Sequence, residues 1–202
     1  VVETVRARYS AAGLGTGSGF GGDLDLEGRE FVVAADASSG AFVYDLDGPV
    51  AVDCGAGCSE LAPVGSLVPT SGTGLLSVAL GTETVAVGAA SAGGGVVELF
   101  DRSPVSGSWI PAGQSYVPAG FTPAVGDRYG NFVALSGRVL AAGDPSADAT
   151  FTEQGRAFTA NLEPLASTFV GPGSDWGVAS NWDVGLVPDT GDIAIVPASA
   201  TV

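Results

Sequence analysis

The sequence predicts an all-β fold assembled from repeated antiparallel sheets, and three observations carry that expectation. Apolar residues alternate with small or polar ones at period 2 in short runs, and clusters of Gly and Asp break the runs roughly every 6 to 12 residues. Glycine supplies 32 of the 202 residues, about twice its ordinary share of roughly 7%. The chain also resembles itself at a spacing of about 55 residues, which marks a supersecondary unit used more than once.

The first copy runs from Leu24 to Asp36 (LDLEGREFVVAAD), the second from Val78 to Ala90 (VALGTETVAVGAA) and the third from Val133 to Pro145 (VALSGRVLAAGDP). The second and third align without a gap. Each copy reads as a strand, a tight turn and a second strand. In the second copy Leu76, Val78 and Leu80 alternate with Ser77, Ala79 and Gly81, and Val85 and Val87 follow the turn at Thr82 and Glu83. A Gly-led third strand comes next: GAFVYDL from Gly40, GVVELFD from Gly95 and GRAFTANL from Gly155. Their β-branched and aromatic residues suit a half-buried pleated surface. The clearest candidate for a fourth, more polar edge strand is SGSWIPAGQSYVP, from Ser106 to Pro118. Leu24, Val78 and Val133 hold equivalent positions and are expected to be buried alike.

Phe20-Gly21 followed by VVAADA, and Tyr129-Gly130 followed by VALSG and LAAGDP, resemble FG-GAP repeats, the units of integrin-α-like β-propellers, here of the bacterial secreted or cell-surface type. In that family a Phe-Gly pair opens the unit, and a VALSGD-like strand and turn, a VVGAP-like strand and a GAVYVF-like strand follow. The second copy departs from the pattern, with Gly74-Leu75 at the Phe-Gly position. The resemblance implies three four-stranded, blade-like sheets over residues 1–170. Three such units cannot close a family-type ring, so the resemblance implies a partial propeller, one completed by partners, or a stack of sheets. Residues 171–202 form a Trp-rich C-terminal β element. The string DWGVASNWDVGLVPDTGDIAIVP, residues 175–197, resembles a motif that opens repeat-rich domains of large secreted bacterial proteins. It also aligns in part with the second copy, as IAIVPA against VAVGAA, so both a further domain and a degenerate fourth blade remain open. Trp176 and Trp182 are expected to form a packed cluster rather than a sugar-binding platform.

Composition excludes several chemistries. The chain has no His, no Lys and no Met, so all seven cations are arginines. Imidazole-based nucleophilic or acid/base sites, Schiff bases and P-loops therefore drop out, leaving carboxylates and hydroxyls for any catalysis. Twenty-two acidic side chains give a net charge of -15, which argues against nucleic acid and anionic membrane. No run of about 20 apolar residues occurs despite a mean hydropathy of +0.36. The chain opens VVETVRARYS and ends ASATV, and reads as a processed or truncated portion of something larger.

Cys54 and Cys58 in DCGAGC are expected to form a short-loop disulfide, with two buried thiols as the alternative. Asp23, Asp25 and Glu27 before Gly28 spell D-x-D-x-E-G, close to the start of a Ca²⁺ loop. Against that, Leu24 and Leu26 align with the apolar residues of the VAL strand, which would make the carboxylates its solvent side. Asp144 and Asp148 fall at the family's GAP loop and form a second candidate cation site. No other cofactor is expected. Taken together, the residues point to a non-catalytic, extracellular or cell-surface protein with a structural or adhesive role. Its expected partners are copies of itself or other surface proteins, and glycan is a further candidate. The alternatives are a carboxylate-based carbohydrate-active enzyme and a Ca²⁺-dependent ligand-binding module.

Overall fold

The computed structural model describes residues 8–9, 18–35, 40–48, 50–53, 59–70, 74–90, 94–103, 106–147, 154–162, 166–171, 175–183 and 193–196. In chain order the strands are β1 (Arg8–Tyr9), β2 (Phe20–Glu27), β3 (Glu30–Ala35), β4 (Gly40–Asp45), β5 (Val50–Asp53), β6 (Ser59–Leu61), β7 (Gly65–Leu67), β8 (Leu75–Leu80) and β9 (Thr84–Ala90). There follow β10 (Gly94–Arg102), β11 (Trp109–Tyr116), β12 (Arg128–Tyr129), β13 (Phe132–Ser136), β14 (Val139–Asp144), β15 (Arg156–Asn161), β16 (Ala166–Thr168) and β17 (Ile193–Ile195). The fold is all-β, in several sheets of which none is closed. A single 3-10 turn at Ala179–Asn181 is the one helical element among the described residues.

The chain divides into two compact units, one comprising Val1–Asp101 and Trp109–Asn161, the other Arg102–Ser108 and Leu162–Val202. The first unit holds three meanders. The strand orders are β2-β3-β4-β7, β11-β10-β9-β8 and β13-β14-β15, antiparallel throughout the first and third and from β8 to β10 in the second. Hairpins this local follow from two-residue turns, Gly28-Arg29 between β2 and β3 and Gly137-Arg138 between β13 and β14.

The main core lies between the first two meanders. Val32, Ala34, Ala41, Val43 and Leu67 of the first pack with Leu76, Val78, Leu80, Val85, Val87, Ala89, Val96, Phe100 and Trp109 of the second. Burying a Val or Leu side chain contributes roughly 1.5–3 kcal/mol, so this layer is the chief stabilising contact described. The opposite face of the second meander is lined by Ser77, Ala79, Ala86, Gly88 and Gly95, and the third seats on it. A Cβ at Gly88 would overlap the Gly130 carbonyl oxygen, and one at Gly95 the Tyr129 carbonyl oxygen. Only glycine lets the two backbones approach this closely. Here β12 pairs in parallel with β10, Gly94 against Arg128 and Gly95 against Tyr129. Tyr129 closes the joint in a ring cluster with Phe121 and Phe158, at 5.5 and 5.7 Å.

The outer face of the first meander is covered from within the chain. Phe31, Val33 and Tyr44 are buried against Leu61 of β6, with Phe20 and Phe42 half-buried around them. The β5–β6 hairpin, inserted between β4 and β7, supplies that cover and joins β1 in a separate three-stranded sheet. The second unit pairs β16 with β17 in parallel. Phe169, Trp176 and Trp182 form its aromatic cluster, with ring centroids 5.3 to 5.9 Å apart. Trp182 Nε1 donates to the Trp176 carbonyl at 3.0 Å.

Equivalent positions in the three copies differ in burial. Val78 is 3% exposed and Val133 is half-buried, but Leu24 is 63% exposed. In β2 the carboxylates of Asp23 and Asp25 face the second meander, and period 2 then sends Leu24 and Leu26 to the other side. The expected solvent side of β2 is therefore reversed.

Candidate functional site

Strands β2, β8 and β13 border a cleft of about 360 Å³, lined by Asp23, Leu24, Asp25, Val78, Phe132, Val133, Ala134 and Leu135. Each of these strands is the edge of its meander, so alternate N–H groups point out of the ladder. The two aspartates meet those groups in pairs. Asp23 Oδ1 accepts from Leu24 N at 2.9 Å, and its Oδ2 accepts from Val78 N at 2.9 Å. Asp25 repeats the arrangement one pleat along, with Leu26 N at 2.8 Å and Leu80 N at 2.8 Å. Two carboxylates thus bridge two strand edges that have no direct ladder. Charge-assisted bonds of this kind are roughly twice as strong as neutral ones.

The second copy has Ser77 and Ala79 at the matching places. Ser77 Oγ donates to the Gly130 carbonyl at 2.7 Å, and alanine offers nothing. Among the described residues no aspartate meets the β13 edge in this way. The two-residue turn between Ser136 and Val139 makes that pair hydrogen-bonded, which turns the Val133 and Leu135 N–H groups outward to the cleft.

Glu27, the third oxygen of the D-x-D-x-E-G string, is exposed opposite Glu30 at the β2–β3 turn. Asp144 is fully buried: its Oδ1 accepts from Arg128 N at 3.0 Å and Ser146 N at 3.1 Å, while Oδ2 has no hydrogen-bond partner. Asp148, Cys54 and Cys58 lie outside the described residues. Among the described residues no group of three or more His, Cys, Asp or Glu side chains converges as metal ligands. No helix among them is long and apolar enough to cross a membrane.

Other acids act as Asp23 and Asp25 do. Buried Glu98 accepts from Thr70 N at 2.9 Å and Thr70 Oγ1 at 3.0 Å, and Asp101 accepts from Thr84 Oγ1 at 2.8 Å. Asp127 accepts from Ala124 N at 2.7 Å. Sequence reasoning missed these roles, although Asp23 and Asp25 each stand 55 positions before the residue whose N–H they bind, a spacing equal to the repeat. Among the described residues Tyr129 is the one strongly perturbed group: burial, then the neighbouring Tyr116, raises its hydroxyl well above the ordinary range.

Comparison with protein-family models, curated proteins and solved structures returns no match.

Proposed function

We propose that this chain is a non-catalytic, extracellular structural or adhesive protein whose three meanders act as FG-GAP-like, blade-like units and associate through their sheet surfaces. The observation that carries this reading is how the carboxylates are used. Asp23 and Asp25, the acids facing the cleft, each hold two backbone N–H groups, and Glu98 holds a loop. Side chains spent on joining sheets fit a scaffold better than a pair of acids flanking a scissile bond. The exposed apolar residues Phe132 and Val139 on the third meander suit contact with another protein.

Sedimentation velocity of the whole chain tests the reading. Acidic copies at net charge -15 repel one another, and salt screens that repulsion, so association should strengthen between low salt and 0.5 M. A monodisperse monomer at micromolar concentration in about 0.5 M salt overturns self-association.

A further inference from the structure

The third meander stops one strand short of the other two. In the first, β7 flanks β4, and in the second, β11 flanks β10; among the described residues nothing pairs with the far side of β15. The ladder fixes which groups that edge offers. β14 uses Val139, Ala141 and Gly143 to bond β13, so Leu140, Ala142 and Asp144 bond Ala160, Phe158 and Arg156. The N–H and C=O groups of Ala157, Thr159 and Asn161 therefore point outward. All three residues are exposed.

Natural edges are ordinarily guarded by Lys, Pro, bulges or inward-pointing charges. β15 reads RAFTAN, with no Pro, no bulge in its register and one charge, Arg156, at its first position and over the Phe121 ring. We infer that β15 pairs with β15 of a second copy, antiparallel about a two-fold axis at Thr159. In that register Ala157 lies opposite the partner's Asn161, and Thr159 opposite the partner's Thr159. All six outward N–H groups find carbonyls. No like charges oppose one another, although each chain carries -15, because the strand holds no acid and its arginine lies opposite the partner's Leu162. The product is a continuous six-stranded sheet and a closed dimer, since an isologous contact uses up the edge that forms it. This inference rests on the self-association proposed above and adds its place and symmetry.

The test combines sedimentation velocity on the full chain with amide hydrogen exchange. Thr159→Asp sets two carboxylates face to face on the axis and leaves the β14 ladder intact. It should raise the dimer Kd at least about ten-fold while the circular dichroism spectrum stays that of the wild type. In the wild type, the Ala157, Thr159 and Asn161 amides should gain protection as concentration rises. A dimer undiminished in a folded Thr159→Asp variant overturns the edge pairing and leaves self-association standing. Absence of concentration-dependent protection in a wild type that dimerises does the same, and serves alone if the variant does not fold. A wild type that stays monomeric overturns both.

Discussion

Tyr129 has a fully buried side chain whose hydroxyl makes no hydrogen bond. Its phenol pKa is raised in the folded state above the ordinary value near 10, first by burial and then by Tyr116. A raised folded-state pKa makes the contribution whole below pH 10; it is lost as pH climbs past the unfolded value toward the folded one, because only the unfolded chain ionises there. Thermal melting followed from pH 7 to about 11 should show wild-type stability falling above about pH 10, and Tyr129→Phe should fall less steeply. The Phe variant should be close to wild type in Tm at pH 7, because no hydrogen bond is lost. Parallel alkaline limbs for the two proteins would contradict this account. A sequence offers no such information about Tyr129 beyond its place in Tyr-Gly, since the ionisation reflects a burial beside Phe121 and Phe158 that only the folded chain assembles.

At the scale of elements, the strand edges govern how the meanders join. Removing the Asp25 carboxylate leaves the Leu80 N–H part-buried without its acceptor, so Asp25→Ala should cost about 1–2 kcal/mol and lower Tm by a few degrees. Asp25→Asn keeps one acceptor oxygen and should lose less, a ranking that urea titrations of the three proteins can check. The strands themselves were largely legible: alternation and turn glycines locate β8, β9, β13 and β14 within a residue or so, because period 2 and tight turns are local properties. The side on which β2 buries its residues was not. Leu24-Asp25-Leu26 looks apolar-in by every local rule, and the deciding partner, the N–H row of β8, lies 55 residues away. The β5–β6 cover over Phe31 and Tyr44 was equally invisible, as nothing in its own residues names the face it meets.

For the whole molecule, the carboxylates bear on metal dependence. Asp23 and Asp25 are already engaged by backbone donors, so a chelator should leave the melting temperature unchanged; a fall of more than about 10 °C would revive the Ca²⁺-module reading through Asp144. The two joints between the meanders also differ in kind. Aspartates tie the first to the second, and a glycine seat receives the third. The copies are consequently not interchangeable modules, for all their shared period. If the second and third exchanged places in a rearranged gene, Tyr129-Gly130 would lose its glycines and the side chains of the main core would meet the wrong surface. Growth by duplication is restricted in the same way. The β5–β6 hairpin covers the outer face of the first meander, so another copy of the unit could join on that side only by displacing it.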